Sequence, residues 1–162
     1  MTSQNARRRG GCGRLIQVGL VAWALLGGSA AAQRVNLQVN PNSITFPTAD
    51  PDVAPVVQAQ PLIIRYQIRN NDTGGWRLTV LAAGDLIAGP SVIDIGNISW
   101  TASPTPPFQA GTLSKTVEQT VASGFGNVQQ PQTGTLTFQL SNLWTYAVGV
   151  YTQSILFTLS AP

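Results

Sequence analysis

From Val35 to Leu159, apolar side chains return at every second position, in short runs parted by glycine, proline and asparagine. Period two sends alternate side chains to opposite faces, so each run is a strand with one apolar face that another layer must cover. Val35, Leu37 and Val39 alternate with Asn36 and Gln38; Leu62, Ile64, Tyr66 and Ile68 with Arg65, Gln67 and Arg69; Trp76, Leu78 and Val80 with Arg77 and Thr79. Ile98 and Trp100 close a region that begins near Ser91, and Val117 and Val121 alternate more weakly with polar neighbours. Leu136, Phe138 and Leu140 form another run, and Ile155, Phe157 and Leu159 a last one. No stretch after residue 33 carries a helical stripe.

Turn chemistry parts the runs. Asn70-Asn71-Asp72-Thr73-Gly74-Gly75 suits a hairpin loop, because asparagine and glycine tolerate positive φ. Gly89-Pro90, the stretch from Pro104 to Gly111 and the stretch from Gly124 to Gly134 are further breaks. Pro47, Pro51, Pro55 and Pro61 make 47–61 a crossover or an edge, since proline lacks the ladder donor. The expected fold is all-β: a single antiparallel immunoglobulin-like sandwich of about seven strands over residues 33–162.

Residues 1–32 have another character. Arg7, Arg8, Arg9 and Arg14 precede an apolar run from Leu15 to Leu26, and Ala30-Ala31-Ala32 supplies small residues before Gln33. Cationic, apolar and small segments in that order make a secretory signal peptide, with an apolar run short for a membrane span. No transmembrane segment is expected after it. Removing the leader changes the charge: the whole chain carries +3, whereas the part from Gln33 holds five basic residues against six acidic ones, a net of −1. An electrostatic nucleic-acid footprint is therefore not expected. Cys12 leaves with the leader, so the core and not a disulfide must hold the domain. The expected location is secreted, at the cell surface or in the periplasm. No sorting motif or apolar tail follows the last run, so no covalent anchor is expected.

The residue inventory restricts the chemistry. Without histidine the chain lacks the commonest neutral-pH base and the commonest zinc ligand, which excludes Ser-His-Asp and Cys-His nucleophile systems. A Ser-Lys pair would have to use Ser114 and Lys115, neighbours that a strand would point to opposite faces. A glycosidase needs only two carboxylates, and Asp94 and Glu118 are the pair nearest to aromatic sequence; both also read as solvent-facing charges. Asp50, Asp52 and Asp72 could offer oxygens to calcium, but no EF-hand spacing accompanies them and turn formation accounts for them. Trp76 and Trp100 are in phase with core positions, while Trp144 falls in a loop-like segment from Asn142 to Tyr146 and can stand on the surface as a sugar platform would. Asn71-Asp72-Thr73 and Asn97-Ile98-Ser99 match the glycosylation pattern by accident. No catalytic, cofactor-binding or metal-binding residue is assigned.

Two segments resemble a family. Thr73-Gly74-Gly75-Trp76-Arg77-Leu78-Thr79-Val80 looks like the first Trp-x-Leu segment of bacterial WxL cell-surface domains, and the end from Ala147 to Pro162 is similar to that family's closing strand, with Phe157-Thr158-Leu159 in place of the second Trp-x-Leu. Gly149-Val150-Tyr151 before a last strand also resembles fimbrial and coat-type subunits. The resemblance implies a surface-displayed sandwich attached non-covalently to peptidoglycan. The expected function is thus a non-catalytic envelope domain, structural or adhesive, with a cell-wall polymer or an envelope protein as partner and self-assembly possible. The alternatives are a pilin-like subunit assembling by strand addition and a small carbohydrate-active enzyme using Asp94 and Glu118; the first strand, Val35–Val39, is expected to pair with its own sheet, with exchange into a neighbour's as the other outcome.

The leader generates the first testable outcome. Intact-mass measurement of the exported protein should give a chain beginning at Gln33, cleaved after Ala32. A retained N-terminus would restore the four leader arginines and overturn the assignment.

Overall fold

A computed structural model of the chain describes residues 34–69 and 74–161. The expected leader and its expected cleavage point, Cys12, and residues 70–73 with the Asn71 glycosylation pattern lie outside the described residues. Eleven strands follow in chain order: β1 (Arg34–Asn40), β2 (Val56–Gln58), β3 (Leu62–Arg69), β4 (Gly75–Ala82), β5 (Leu86–Ala88), β6 (Ser91–Ile93), β7 (Ile98–Ser103), β8 (Gly111–Thr112), β9 (Gln119–Phe125), β10 (Val128–Ser141) and β11 (Ile155–Ser160). They form a six-stranded sheet in the order β1-β3-β10-β7-β8, with β2 also against β10, a three-stranded sheet β11-β4-β9, and a β5-β6 hairpin. The pairings are antiparallel. The fold is the expected antiparallel sandwich.

Its strand count exceeds seven because β2, β5, β6 and β8 are two or three residues long, too short to show a period. Within the proline-rich crossover, Val56–Gln58 still pairs with Gln139–Ser141. The region from Ser91 to Trp100 is not one strand: a 3-10 turn at Ile95–Asn97 splits it, capped by Asp94. The break expected from Gly124 to Gly134 is narrower, since β9 reaches Phe125 and β10 begins at Val128. Pro131 is tolerated there because β10 loses register with β3 between Val128 and Gln132. Val117, expected on a strand, is exposed in a bend before Gln119.

Aromatic rings fill the space between the two large sheets. Tyr66 of β3 lies 4.9 Å from Trp76 of β4 and 5.8 Å from Phe108, while Trp100 and Phe138 lie 6.1 Å apart on neighbouring strands of the larger sheet. The two indoles need room over the adjoining strand, and glycine supplies it. Trp76 pairs in register with Gly124, where a Cβ would come within 2.6 Å of the ring; Trp100 pairs with Gly111, where the distance would be 2.5 Å. Trp100 also donates its indole N–H to the Gln109 carbonyl at 2.8 Å, so its polar atom is satisfied in the core. Leu62, Ile64 and Ile68 of β3 and Leu78 and Val80 of β4 surround the rings.

Among the described residues the sandwich is closed on one side. Segment 104–114 ties the β7-β8 edge to the smaller sheet: Gln109 N donates to Val121 O at 2.8 Å, Leu113 N to Ile98 O at 2.9 Å, and Ala82 N to Ser114 O at 3.0 Å. At the opposite side β1 and β11 end their sheets, and Leu37, Val39, Ile155, Phe157 and Leu159 are only partly buried. β1 pairs with β3 of its own chain along its whole length. Phe157, read from its phase as a core residue, is half-buried because β11 has a neighbour on one side alone. Thr79, read as an outward residue, is buried: β11 and β9 flank it, and its hydroxyl donates to Glu118 Oε2 at 3.0 Å.

These differences set an order of stabilities. Trp76→Ala should cost about 3–5 kcal/mol and Phe157→Ala about 2 kcal/mol, since the latter ring keeps part of its exposure in the folded state. Gly124→Ala should cost about 1–3 kcal/mol by driving a methyl into the Trp76 indole. Chemical denaturation should rank them so; a Gly124→Ala variant as stable as the parent would mean that the indole is free to shift.

Candidate functional site

The residues singled out for chemistry are engaged separately. Asp94 is exposed; its Oδ1 accepts from Gly96 N at 2.7 Å and its Oδ2 lies 3.7 Å from Lys115 Nζ. Glu118 is exposed and accepts from Thr79 instead. Lys115 makes its short contact with Asp85 Oδ2, at 2.6 Å, and Asp85 Oδ1 accepts from Ile95 N at 3.1 Å. The hydrogen bond from Lys115, helped by that of the Ile95 N–H, holds the Asp85 carboxyl below the ordinary carboxylate range; the same bond to Asp85 raises the Lys115 ammonium. Ser114 Oγ accepts from Thr116 N and Val117 N at 3.2 and 3.1 Å, forming a local turn, while the lysine beside it is committed to carboxylates.

Of the candidate calcium ligands, Asp72 lies outside the described residues, while Asp50 and Asp52 are engaged by a turn and by an indole. Asp50 Oδ1 accepts from Asp52 N at 2.9 Å, and Asp52 Oδ1 accepts the Trp144 indole N–H at 2.9 Å. Among the described residues no three Asp, Glu, His or Cys side chains come together in a cluster able to hold a metal ion. Trp144 is 67% exposed, as its loop position implies. Beside it Asn142 performs a task that alternation could not reveal: its Nδ2 donates to both Ala49 O and Ala54 O at 3.0 Å, latching the crossover onto the far end of β10.

The broadest candidate surface is the outer face of the larger sheet. Register places Asn36, Gln38 and Asn40 of β1 beside Gln67, Arg65 and Ile63 of β3. On β10 the outer row is Thr133, Thr135, Thr137 and Gln139, and β7 sets Ser103, Thr101 and Ser99 opposite the last three. β8 adds Thr112 opposite Ser99. Hydroxyls and amides thus predominate across the sheet; its exposed apolar members are Ile63 and, on β2 opposite Ser141, Val56, and Arg34 of β1 is in register with Arg69 on the row that also holds Arg65. None of the five described carboxylates is on these rows. Where β1, β3 and the irregular start of β10 meet, a cleft of about 200 Å³ is lined by Asn36, Gln38, Arg65, Tyr66, Gln67 and Pro131. The polar members of alternating runs suggested a solvated face; that they line up across five strands depends on register, which sequence alone did not supply. No known protein-family model and no curated protein matches the chain.

The Asp85–Lys115 pair makes stability pH-dependent at both extremes. Asp85 binds its proton more weakly in the folded chain, so its contribution is present above the ordinary carboxylate pKa of about 3.9 and is lost as pH falls through the lowered value. Lys115 binds its proton more tightly, so its contribution is complete below about 10.4 and is lost as pH rises through the raised value. Melting temperatures of the parent and Asp85→Asn should therefore differ most at intermediate pH and converge toward both ends. A pH-independent difference would show that the pair does not carry it.

Proposed function

We propose that this chain is a non-catalytic domain of the bacterial envelope, secreted to the cell surface or periplasm, with a structural or adhesive role in which it holds a cell-wall polymer through the outer face of its larger sheet. The observation that supports this reading is the predominance of hydroxyl and amide side chains from β1 to β8, interrupted by few apolar residues, Ile63 and Val56, and by arginines of β1 and β3. Neighbouring strands are spaced by about 4.8 Å, so the face repeats donors and acceptors over a distance suited to an extended polyhydroxylated chain. Each such bond is worth only about 0.5–1.5 kcal/mol net, and a polymer engages many at once. The likeness to WxL domains agrees with a wall-associated role. Trp76 is 6% exposed, so on this reading the sheet face and not the tryptophan meets the wall. No cofactor or metal is needed.

A second reading, assembly by strand addition in the manner of a pilin subunit, is favoured by β11. Its residues Ile155–Ser160 carry no charge, its one partner strand is β4, and Leu156 on it is 65% exposed. Such an edge lacks the charges and prolines that usually discourage pairing with another chain. Co-sedimentation of the exported protein with isolated peptidoglycan, with light scattering of the free protein, separates the readings. Wall binding by a monomer is the expected result. Polymers without wall binding would establish strand addition, and glycan hydrolysis lost in Asp94→Asn or Glu118→Gln would establish an enzyme.

A further inference from the structure

We propose that Arg65 and Arg69 make this face selective for a carboxylate-bearing polysaccharide, the uronate units of an acidic glycan seating their carboxylates on the two guanidinium groups. The inference rests on the wall-polymer reading above and adds the class of polymer. It starts from an asymmetry in how the charges are used. Each of the five described carboxylates has a local partner: Asp50 and Asp52 in the crossover, Asp85 and Asp94 around Lys115, and Glu118 on Thr79. Lys115, the lysine of the chain, is spent on two of them. Arg65 and Arg69 are exposed and make no hydrogen bond or ion pair among the described residues.

Placement then matters. Arg65, Gln67 and Arg69 share the outer row of β3, which sets the two arginines about 13 Å apart, at roughly 3.3 Å of rise per residue. Arg65 stands in register with Gln38 on one side and Thr133 on the other, so amide and hydroxyl groups flank its guanidinium. It also lines the cleft left where β10 departs from β3, together with Asn36, Gln38 and Gln67. A guanidinium offers a planar fork that matches a carboxylate through two parallel hydrogen bonds. The neighbouring amides can take sugar hydroxyls. With none of the five described carboxylates on the face, an anionic polymer gains from both charges, and a neutral one only from the amides and hydroxyls.

The test is retention of the exported protein on immobilised polygalacturonate, dextran and polyphosphate, beside binding to isolated peptidoglycan. The expected result is retention on polygalacturonate at least about tenfold above dextran and polyphosphate. Arg65→Gln/Arg69→Gln should lower it about tenfold or more, as loss of charge-assisted bonds does, while Arg77→Gln on the smaller sheet leaves it unchanged. Both arginines are exposed, so the double variant should keep the parent's denaturation midpoint, and Arg65→Lys/Arg69→Lys should bind between the two because it keeps charge without the fork. Equal retention on dextran, tighter retention on polyphosphate, or an unchanged double variant would overturn the inference. Of these, binding to peptidoglycan with no preference for polygalacturonate would leave the wall-polymer reading standing, whereas no binding to peptidoglycan or any glycan would overturn both.

Discussion

The architecture depends on one contact between layers, the Tyr66 ring of one sheet against the Trp76 indole of the other at 4.9 Å, with Phe108 packed edge-on to the tyrosine at 5.8 Å. No cysteine is present after Cys12, so nothing covalent joins the sheets. Area and shape do the work instead. Large rings bury much apolar surface and lose little conformational freedom, and tilted or edge-on packing adds to the area term. Glycine is the other half of the arrangement: an indole can lie over a neighbouring strand only where no Cβ stands in its way, as at Gly124 and Gly111. The glycines of β8 and β9 are therefore core residues, though they contribute no side chain to it.

The same arrangement accounts for the asymmetry of the sandwich. Phe108 reaches the aromatic cluster from segment 104–114, and that segment carries the backbone bonds closing one side. Among the described residues no corresponding segment ties β1 to β11, and apolar residues there are half-buried. One side of the domain is finished by its own chain, while the other keeps two sheet edges side by side. The polar outer face and the β1 and β11 edges are separate surfaces, one made of side chains and the other of strand backbone, and they call for different partners.

Much of the fold was legible because alternation reports burial directly. Leu62, Ile64, Tyr66 and Ile68, and Trp76, Leu78 and Val80, sit where their phase puts them. Phase says nothing, however, about how many neighbours a strand has. Phe157 and Trp76 read alike in sequence, yet one is on an edge and the other on a central strand. Thr79 failed for the converse reason, since a carboxylate 39 residues away covers the face it points to. The candidate surface was the least legible part: its members were visible singly as polar residues, but their alignment is a property of register between strands far apart in sequence. Asn142 was missed altogether, because a side chain that latches backbone carbonyls has no periodicity to betray it.

The position of β11 also bears on time. Its partner β4 lies far upstream, with Ser160 bonded to the Arg77 carbonyl across 83 residues, and Asn142 reaches back 93 residues to Ala49. A chain emerging from its N-terminus has β3 and β4 in hand early, yet β3 waits for β10 and β4 waits for the final strand before either sheet is complete. Contacts of such long span are slow to close, because loop entropy must be spent before they return any binding. The larger sheet lacks the strand that joins its two halves until β10 is made, and the smaller sheet lacks an edge until the final strand, so both layers are completed late in the chain.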